Sequence, residues 1–298
     1  MITETTGIVR IETLYLQLLY RCQFRCDHCF HGDRLAWRDA YTLEQATALI
    51  ELMRRDYGTG AINFLGGEPF LHTRLGALLS HTKHDLGMRT EICTNGYRIT
   101  RKLTEFGHDI DLLRISLEGL EQANDAIRHP GSYQQAMAAL AHAQRLGIAT
   151  GVTMTVTASN IDDVLPLALR LQELGVCELK LHHLRPVGFS ADHPELQVAD
   201  DAAYRRMRDQ IGERSLEIAV VADEQLGAEH ELESLTRYGH TVRRIEADPR
   251  GYLTMSCNAV GIDAHAFYYD KQNDRIEQQV GAHNEVLLQN PPVIYAHA

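Results

Sequence analysis

The sequence predicts an α/β fold of parallel βαβ units curved into a partial barrel, and three observations carry that expectation. Strand-like and helix-like segments alternate along the first 188 residues, as they do where crossover helices join parallel strands. Two central strands alternate oily with polar residues, whereas parallel strands covered on both faces read as continuous apolar runs. A lumen that holds a polar ligand explains the polar set; solvation on an edge strand is the alternative for any one of its members. Third, the chemically active residue types fall in segments directly after strands, where such folds gather their sites.

Taken in order, strands are expected near residues 13–20, 61–65, 88–93, 111–118, 148–156 and 177–184, with helices between them. Thr42 caps a helix in which Leu43, Ala46, Ile50 and Met53 recur at helical spacing. A second such set, Leu165, Leu169 and Leu171, follows Asn160 and Asp162. In the fourth strand Leu113, Ile115 and Leu117 alternate with Arg114, Ser116 and Glu118. In the fifth Val152, Met154 and Val156 alternate with Thr153, Thr155 and Thr157, and Lys180 and His182 extend the polar lining in the sixth. Pro249 to Gly251 reads as the turn of a later hairpin.

A chain of 298 residues with 44% hydrophobic content can bury one large core with a smaller appendage. The expected division is a core over residues 1–188 and a small α+β extension over 189–298. No stretch resembles a signal peptide or a membrane span, so a soluble, cytoplasmic protein without membrane contact is expected. Six cysteines, three of them crowded into eight positions, suit cytosolic metal chemistry better than a disulfide framework.

Those three are Cys22, Cys26 and Cys29, a CxxxCxxC run. Three thiolates at this spacing can hold three irons of a four-iron cluster and leave the fourth iron open to another ligand. A Cys3His zinc site completed by His28 or His31 is the alternative, although zinc sites favour paired CxxC units and no second pair occurs. Downstream stand Gly66-Gly67-Glu68-Pro69, Thr94-Asn95-Gly96 and Ser116-Leu117-Glu118-Gly119. In this order the four segments resemble the radical SAM superfamily over roughly residues 13–188.

The resemblance implies a partial (β/α)6 barrel holding one 4Fe-4S cluster on Cys22, Cys26 and Cys29, with S-adenosylmethionine on the open iron. It implies that Gly66, Gly67 and Glu68 meet the methionine amino group, and that Ser116 and Glu118 meet the ribose. Asn95 and Arg128 are further cofactor contacts, Arg128 toward the methionine carboxylate. Glu118 departs from the family's commoner aspartate, and His28 occupies the place of an aromatic that packs over the cluster. An external electron donor is implied as a partner.

Beyond residue 190 the only cysteine is Cys257, too few for an auxiliary cluster. Cys93 and Cys177 read as small buried residues of core strands. A lone thiol can return a hydrogen atom to a carbon radical, so Cys257 is the candidate catalytic residue of an epimerase; a buried core cysteine is the alternative. Residues 189–298 hold 19 acidic and 10 basic residues, a net charge of −9, against −2 for residues 1–188. That balance excludes nucleic acid and suits a cationic small-molecule substrate, with Asp192, Glu195, Asp223, Glu224, Asp248 and Asp263 as candidate contacts. The layout is similar to aminoglycoside epimerases of the kind that convert neomycin C to neomycin B. The other expectations are a radical SAM enzyme that modifies a peptide, or one that dehydrates or dehydrogenates a sugar. The non-enzyme alternative is an iron-sulfur or zinc binding protein.

Overall fold

A computed structural model describes residues 2–3, 8–198, 200–222, 241–254, 267–278 and 293–296. The six expected strands form as β1 Arg10–Gln17, β2 Ala61–Leu65, β3 Arg89–Thr94, β4 Leu112–Ser116, β5 Thr150–Val156 and β6 Glu178–His183. They pair in chain order and in parallel. Later strands continue the same sheet at both edges. β7 Ala219–Ala222 runs parallel to β6, and β8 Thr241–Ala247 runs parallel to β1. Eight parallel strands therefore stand in the order β8-β1-β2-β3-β4-β5-β6-β7.

Antiparallel strands finish the sheet. β9 Tyr252–Thr254, β10 Phe267–Asp270 and β11 Arg275–Gln278 follow outward from β8, and β12 Val293–Ala296 lies against β7. The architecture is a partial, TIM-like barrel whose sheet bridges residue 188 without a break. The expected turn at Pro249 to Gly251 joins β8 to β9, and Asp248 closes it by accepting the backbone N–H groups of Arg250 and Tyr252, each at 2.9 Å.

Packing explains why these segments become these elements. Helix α1, Leu43–Tyr57, begins in a capping box: Thr42 Oγ1 accepts the Gln45 N–H at 3.2 Å and Gln45 Oε1 accepts the Thr42 N–H at 3.1 Å. Its Ala46, Leu49, Ile50 and Met53 are buried, and it stops at Gly58, whose left-handed φ of 63° suits glycine. In α6, Val164–Glu173, the buried stripe is Val164, Leu167, Ala168 and Leu171. That face differs from the expected one: Leu165 is only partly buried and Leu169 is exposed. The i, i+3, i+4, i+7 rule selects a single stripe, and counting from Val164 rather than Leu165 turns Leu169 to solvent. The intervening helices are α2 Leu75–Ser80, α3 Thr100–Phe106, α4 Glu121–Ile127 and α5 Ser132–Arg145, and α7 Asp201–Gly212 precedes β7.

The two faces of the sheet divide the chemistry. Leu113, Ile115, Val152, Met154 and Val156 are fully buried in the core between sheet and helices. Their neighbours Arg114, Ser116, Thr153 and Thr155 line a cavity inside the curve of the sheet, as do Lys180 and His182. The alternation read in the sequence is this inside–outside division. No helix among the described residues is long and apolar enough to cross a membrane.

Candidate functional site

A cavity of about 300 Å³ occupies the lumen at the carboxyl ends of the strands, and the loops after β1, β2, β3 and β4 meet there. Cys22, Cys26 and Cys29, from the loop after β1, all line it. The loop is fixed by its own backbone, with Cys29 N donating to the Cys26 carbonyl at 3.0 Å and Gly32 N to the Cys29 carbonyl at 3.2 Å. A second clamp comes from the segment after β6. Phe189 N donates to the Cys29 carbonyl at 2.9 Å, and a Cβ on Gly188 would lie 2.4 Å from that same oxygen.

Burial pushes the Cys22 thiol up to about 11 and the Cys26 thiol up to about 12, and it raises Cys29 as well. Buried thiolates need a compensating positive charge, which a metal centre provides. No three His, Cys, Asp or Glu groups among the described residues converge as ligands of one ion. In a four-iron cluster each of three cysteines binds a different iron, so a cluster does not require them to converge on one ion. His31 is committed elsewhere: it is buried, its Nε2 lies 3.2 Å from the Gly66 carbonyl, and burial drives it down to about 3. His28 Nε2 lies 3.1 Å from Glu118 Oε1.

Gly66 and Gly67 line the cavity with backbone. A Cβ on Gly67 would lie 2.1 Å from the Tyr20 carbonyl oxygen, and one on Gly66 2.6 Å from that of Leu19. Only glycine permits this approach of the loop after β2 to the loop carrying the cysteines. Gly67 N donates to the Leu19 carbonyl at 2.8 Å and Glu68 N to that of Arg21 at 3.0 Å, which ties the two loops together.

Glu68 departs from expectation. Its carboxylate is 1% exposed and does not line the cavity. Instead it accepts the N–H of Phe70 at 3.0 Å, the hydroxyl of Thr94 at 2.7 Å and the N–H of Asn95 at 2.9 Å. These three donors make it a clasp between the loops after β2 and β3. Asn95 lines the cavity, and its Oδ1 accepts from Gln23 at 3.0 Å and from the Tyr97 N–H at 2.9 Å.

Glu118 stays in the cavity wall as half of an ion pair. Arg128 reaches its Oε1 through Nε at 3.1 Å, and the Thr155 N–H donates to its Oε2 at 2.7 Å. Burial alone would raise this carboxyl, but the His28 and Arg128 charges hold it down to about 2. Burial likewise works against the Arg128 charge, and Glu118 outweighs it. Ser116 lines the cavity beside Cys93, with Oγ and Sγ 3.7 Å apart.

The reading of the remaining cysteines as buried residues of core strands holds in part for Cys93 and fails for Cys177. Cys93 does lie on core strand β3 but is only partly buried and lines the cavity, while Thr90 and Ile92 on the opposite parity are buried. Cys177 precedes β6 and is exposed. Of the acidic candidates, Asp223, Glu224 and Asp263 lie outside the described residues, as does Cys257. Asp192 and Glu195 are exposed, Asp248 is buried under the hydroxyl of Tyr20 at 2.6 Å, and none of the three lines the cavity. Five Lys or Arg residues and two Glu residues line it among those described, so an acidic surface does not continue into the lumen. Sequence reasoning missed the lumen residues Tyr15, Gln17, Asn63 and Arg244. Their signal was the alternation of Tyr15 and Gln17 with Leu14 and Leu16, and of Asn63 with Ile62 and Phe64.

The family described as the radical SAM superfamily matches residues 16–171. Pre-heme d1 synthase of Dinoroseobacter shibae is 31% identical over 226 residues, which cover 74% of this chain and 53% of that one. Mycofactocin maturase MftC of Mycolicibacterium smegmatis is 29% identical over 181 residues, 59% of this chain and 45% of that one. The chain spans about half the length of these curated relatives. Among solved structures, Streptococcus suis SuiB bound to precursor peptide SuiA superposes with a TM-score of 0.68 at 18% identity, covering 86% of this chain and 62% of SuiB. At that identity the likeness concerns the fold.

Proposed function

The chain belongs to the radical SAM superfamily, and on that premise we propose that it is an enzyme that abstracts hydrogen from a peptide and so modifies it. Its cofactors are one 4Fe-4S cluster and S-adenosylmethionine. When bound and reduced by an external one-electron donor, they supply a 5'-deoxyadenosyl radical.

The observation that carries the reading is the convergence of three cysteine thiols, a glycine backbone cradle and a buried arginine on one cavity. Cys22, Cys26 and Cys29 hold three irons. The backbone of Gly66 and Gly67 admits the methionine amino group, and Arg128 takes the methionine carboxylate with donors that Glu118 leaves unused. Glu118 fixes the Arg128 guanidinium in place, and Ser116 offers its hydroxyl to the ribose. Arg128 and His28 crowd Glu118 Oε1, whereas Oε2 meets only the Thr155 N–H and keeps a lone-pair site for a ribose hydroxyl. Asn95 steadies the loop against the cysteines, its Nδ2 lying 3.7 Å from Cys22 Sγ.

The peptide substrate is supported by the fold shared with SuiB, whose structure contains a precursor peptide, and by a relative named as a maturase. The aminoglycoside expectation gives way. The relatives above are a synthase and a maturase, and the described acidic candidates point away from the cavity.

The test is anaerobic reconstitution with iron, sulfide, S-adenosylmethionine and dithionite, with a peptide library and neomycin C supplied in separate reactions. The expected result is 5'-deoxyadenosine together with a mass change in a peptide. Absence of 5'-deoxyadenosine would sink the cofactor chemistry. Mass-neutral conversion of neomycin C to neomycin B, with peptides untouched, would sink the peptide reading alone.

A further inference from the structure

We propose that the lumen contains a subsite for a peptide amide, built from Gln17, Asn63 and Thr153; this rests on the peptide reading above and gives it contact residues. The three come from β1, β2 and β5 and line the same cavity. They are 1%, 3% and 9% exposed. Gln17 Oε1, Asn63 Oδ1 and Thr153 Oγ1 each lack a hydrogen-bond partner. A buried polar oxygen left unpaired is costly, and folded proteins keep few of them. Three in one cavity are accounted for by a ligand that brings the missing partners.

The neighbours define what that ligand is. Gln17 Nε2 donates to Glu246 Oε1 at 2.6 Å, which leaves the amide oxygen as the atom to be satisfied. Tyr15 stands in register with Asn63 on one side and with Glu246 on the other, so Glu246, Gln17 and Asn63 set acceptors along β8, β1 and β2, beside the lumen residues Tyr15 and Arg244. Thr153 stands in register with Ser116 and Lys180, which sets hydroxyl and ammonium donors along β4, β5 and β6. A peptide unit offers an N–H to the acceptors and a C=O to the donors. Two carboxamide oxygens are also the partners that amide N–H groups meet throughout protein interiors.

Gln17, Asn63 and Thr153 are not among the residues assigned above to the cluster or to S-adenosylmethionine, although Thr153 neighbours Ser116. The cluster and S-adenosylmethionine candidates sit in the loops beyond the strand ends and at the end of β4, whereas Asn63 and Thr153 lie within their strands. Asn63 and Thr153 therefore lie deeper in the barrel than the cysteines' loop, and Gln17 ends β1 just before it.

The experiment is saturation-transfer NMR on the anaerobically reconstituted full chain, with N-acetylglycine methylamide as the amide probe and myo-inositol as a hydroxyl probe. The amide probe is expected to bind, and Asn63→Leu and Thr153→Val to weaken it about tenfold or more. Each variant also removes an unpaired oxygen, so its unfolding midpoint without ligand should be no lower than that of the wild type. Binding of myo-inositol alone, binding of neither probe, undiminished binding by the variants, or a lowered midpoint would each overturn the proposal. Formation of 5'-deoxyadenosine by the wild type reports on the radical chemistry separately. Deoxyadenosine without amide binding removes the subsite and leaves that chemistry standing.

Discussion

The loops after β2 and β4 each carry a buried glutamate, and the two glutamates do opposite work. Glu68 accepts three hydrogen bonds from its own chain and faces away from the cavity. Glu118 faces into it, paired with Arg128. In the first loop the backbone of the glycines reaches the cavity, and the carboxylate stands behind it as scaffold. In the second it is the side chain that reaches the cavity. A residue in a motif therefore acts through whichever of its parts the local geometry turns inward.

The comparison can be broken or sharpened by substitution. The largest effect is expected where both loops converge: Cys26→Ala should abolish the iron-sulfur absorbance and all 5'-deoxyadenosine formation, measured by ultraviolet–visible spectra and chromatography. Gly67→Ala comes next. Its Cβ would meet the Tyr20 carbonyl at 2.1 Å, so cluster occupancy after reconstitution should fall severalfold, whereas Gly58→Ala, with open space around it, should retain its iron.

Glu118→Ala leaves the Arg128 guanidinium buried without its carboxylate and should destabilise the protein by about 3–5 kcal/mol in urea unfolding. It should weaken S-adenosylmethionine binding as well, because Arg128 is no longer held. Glu68→Gln keeps one acceptor oxygen but turns an NH2 group toward donors, and about 1–3 kcal/mol of stability should be lost. Here the two loops part company: if Glu68→Gln weakened cofactor binding more than Glu118→Gln, the division of labour argued above would be wrong. The smallest effect belongs to the exposed Cys177, where Ser should change stability by less than about 0.5 kcal/mol and leave the cluster intact.

Much of this was legible in advance. Strands β1 to β6 fell close to their expected positions because period-two alternation is a local property. The lumen face followed from Arg114, Ser116, Thr153 and Thr155 for the same reason. The Thr42 cap was readable because a capping box is complete within four residues. Leu169 was misplaced because leucines are common enough to suggest a stripe that the helix does not use. Cys177 was misread because it stands before β6 rather than within it, and Cys93, on its core strand, is only partly buried because strand parity turns it to the lumen, which composition does not report.

Asp248 shows the same limit for charge. Counting acids in the later residues suggested a surface for cations, yet this one is folded under Tyr20 and closes a turn. Net charge sums over a chain, whereas recognition depends on which few side chains face one cavity.

The sequence by itself determined the strand and helix order, the polar face of the central strands and the cysteine spacing that sets the cofactor chemistry, since all of these are written in short-range periodicity and spacing. Only the tertiary structure decided that β7 and β8 extend the barrel from both sides, that Gly188 clamps the cysteine loop, and that Glu68 is scaffold while Glu118 holds Arg128. Those outcomes depend on contacts between residues distant in the chain, where steric fit and the pairing of buried charges choose among side chains that the sequence presents as equals.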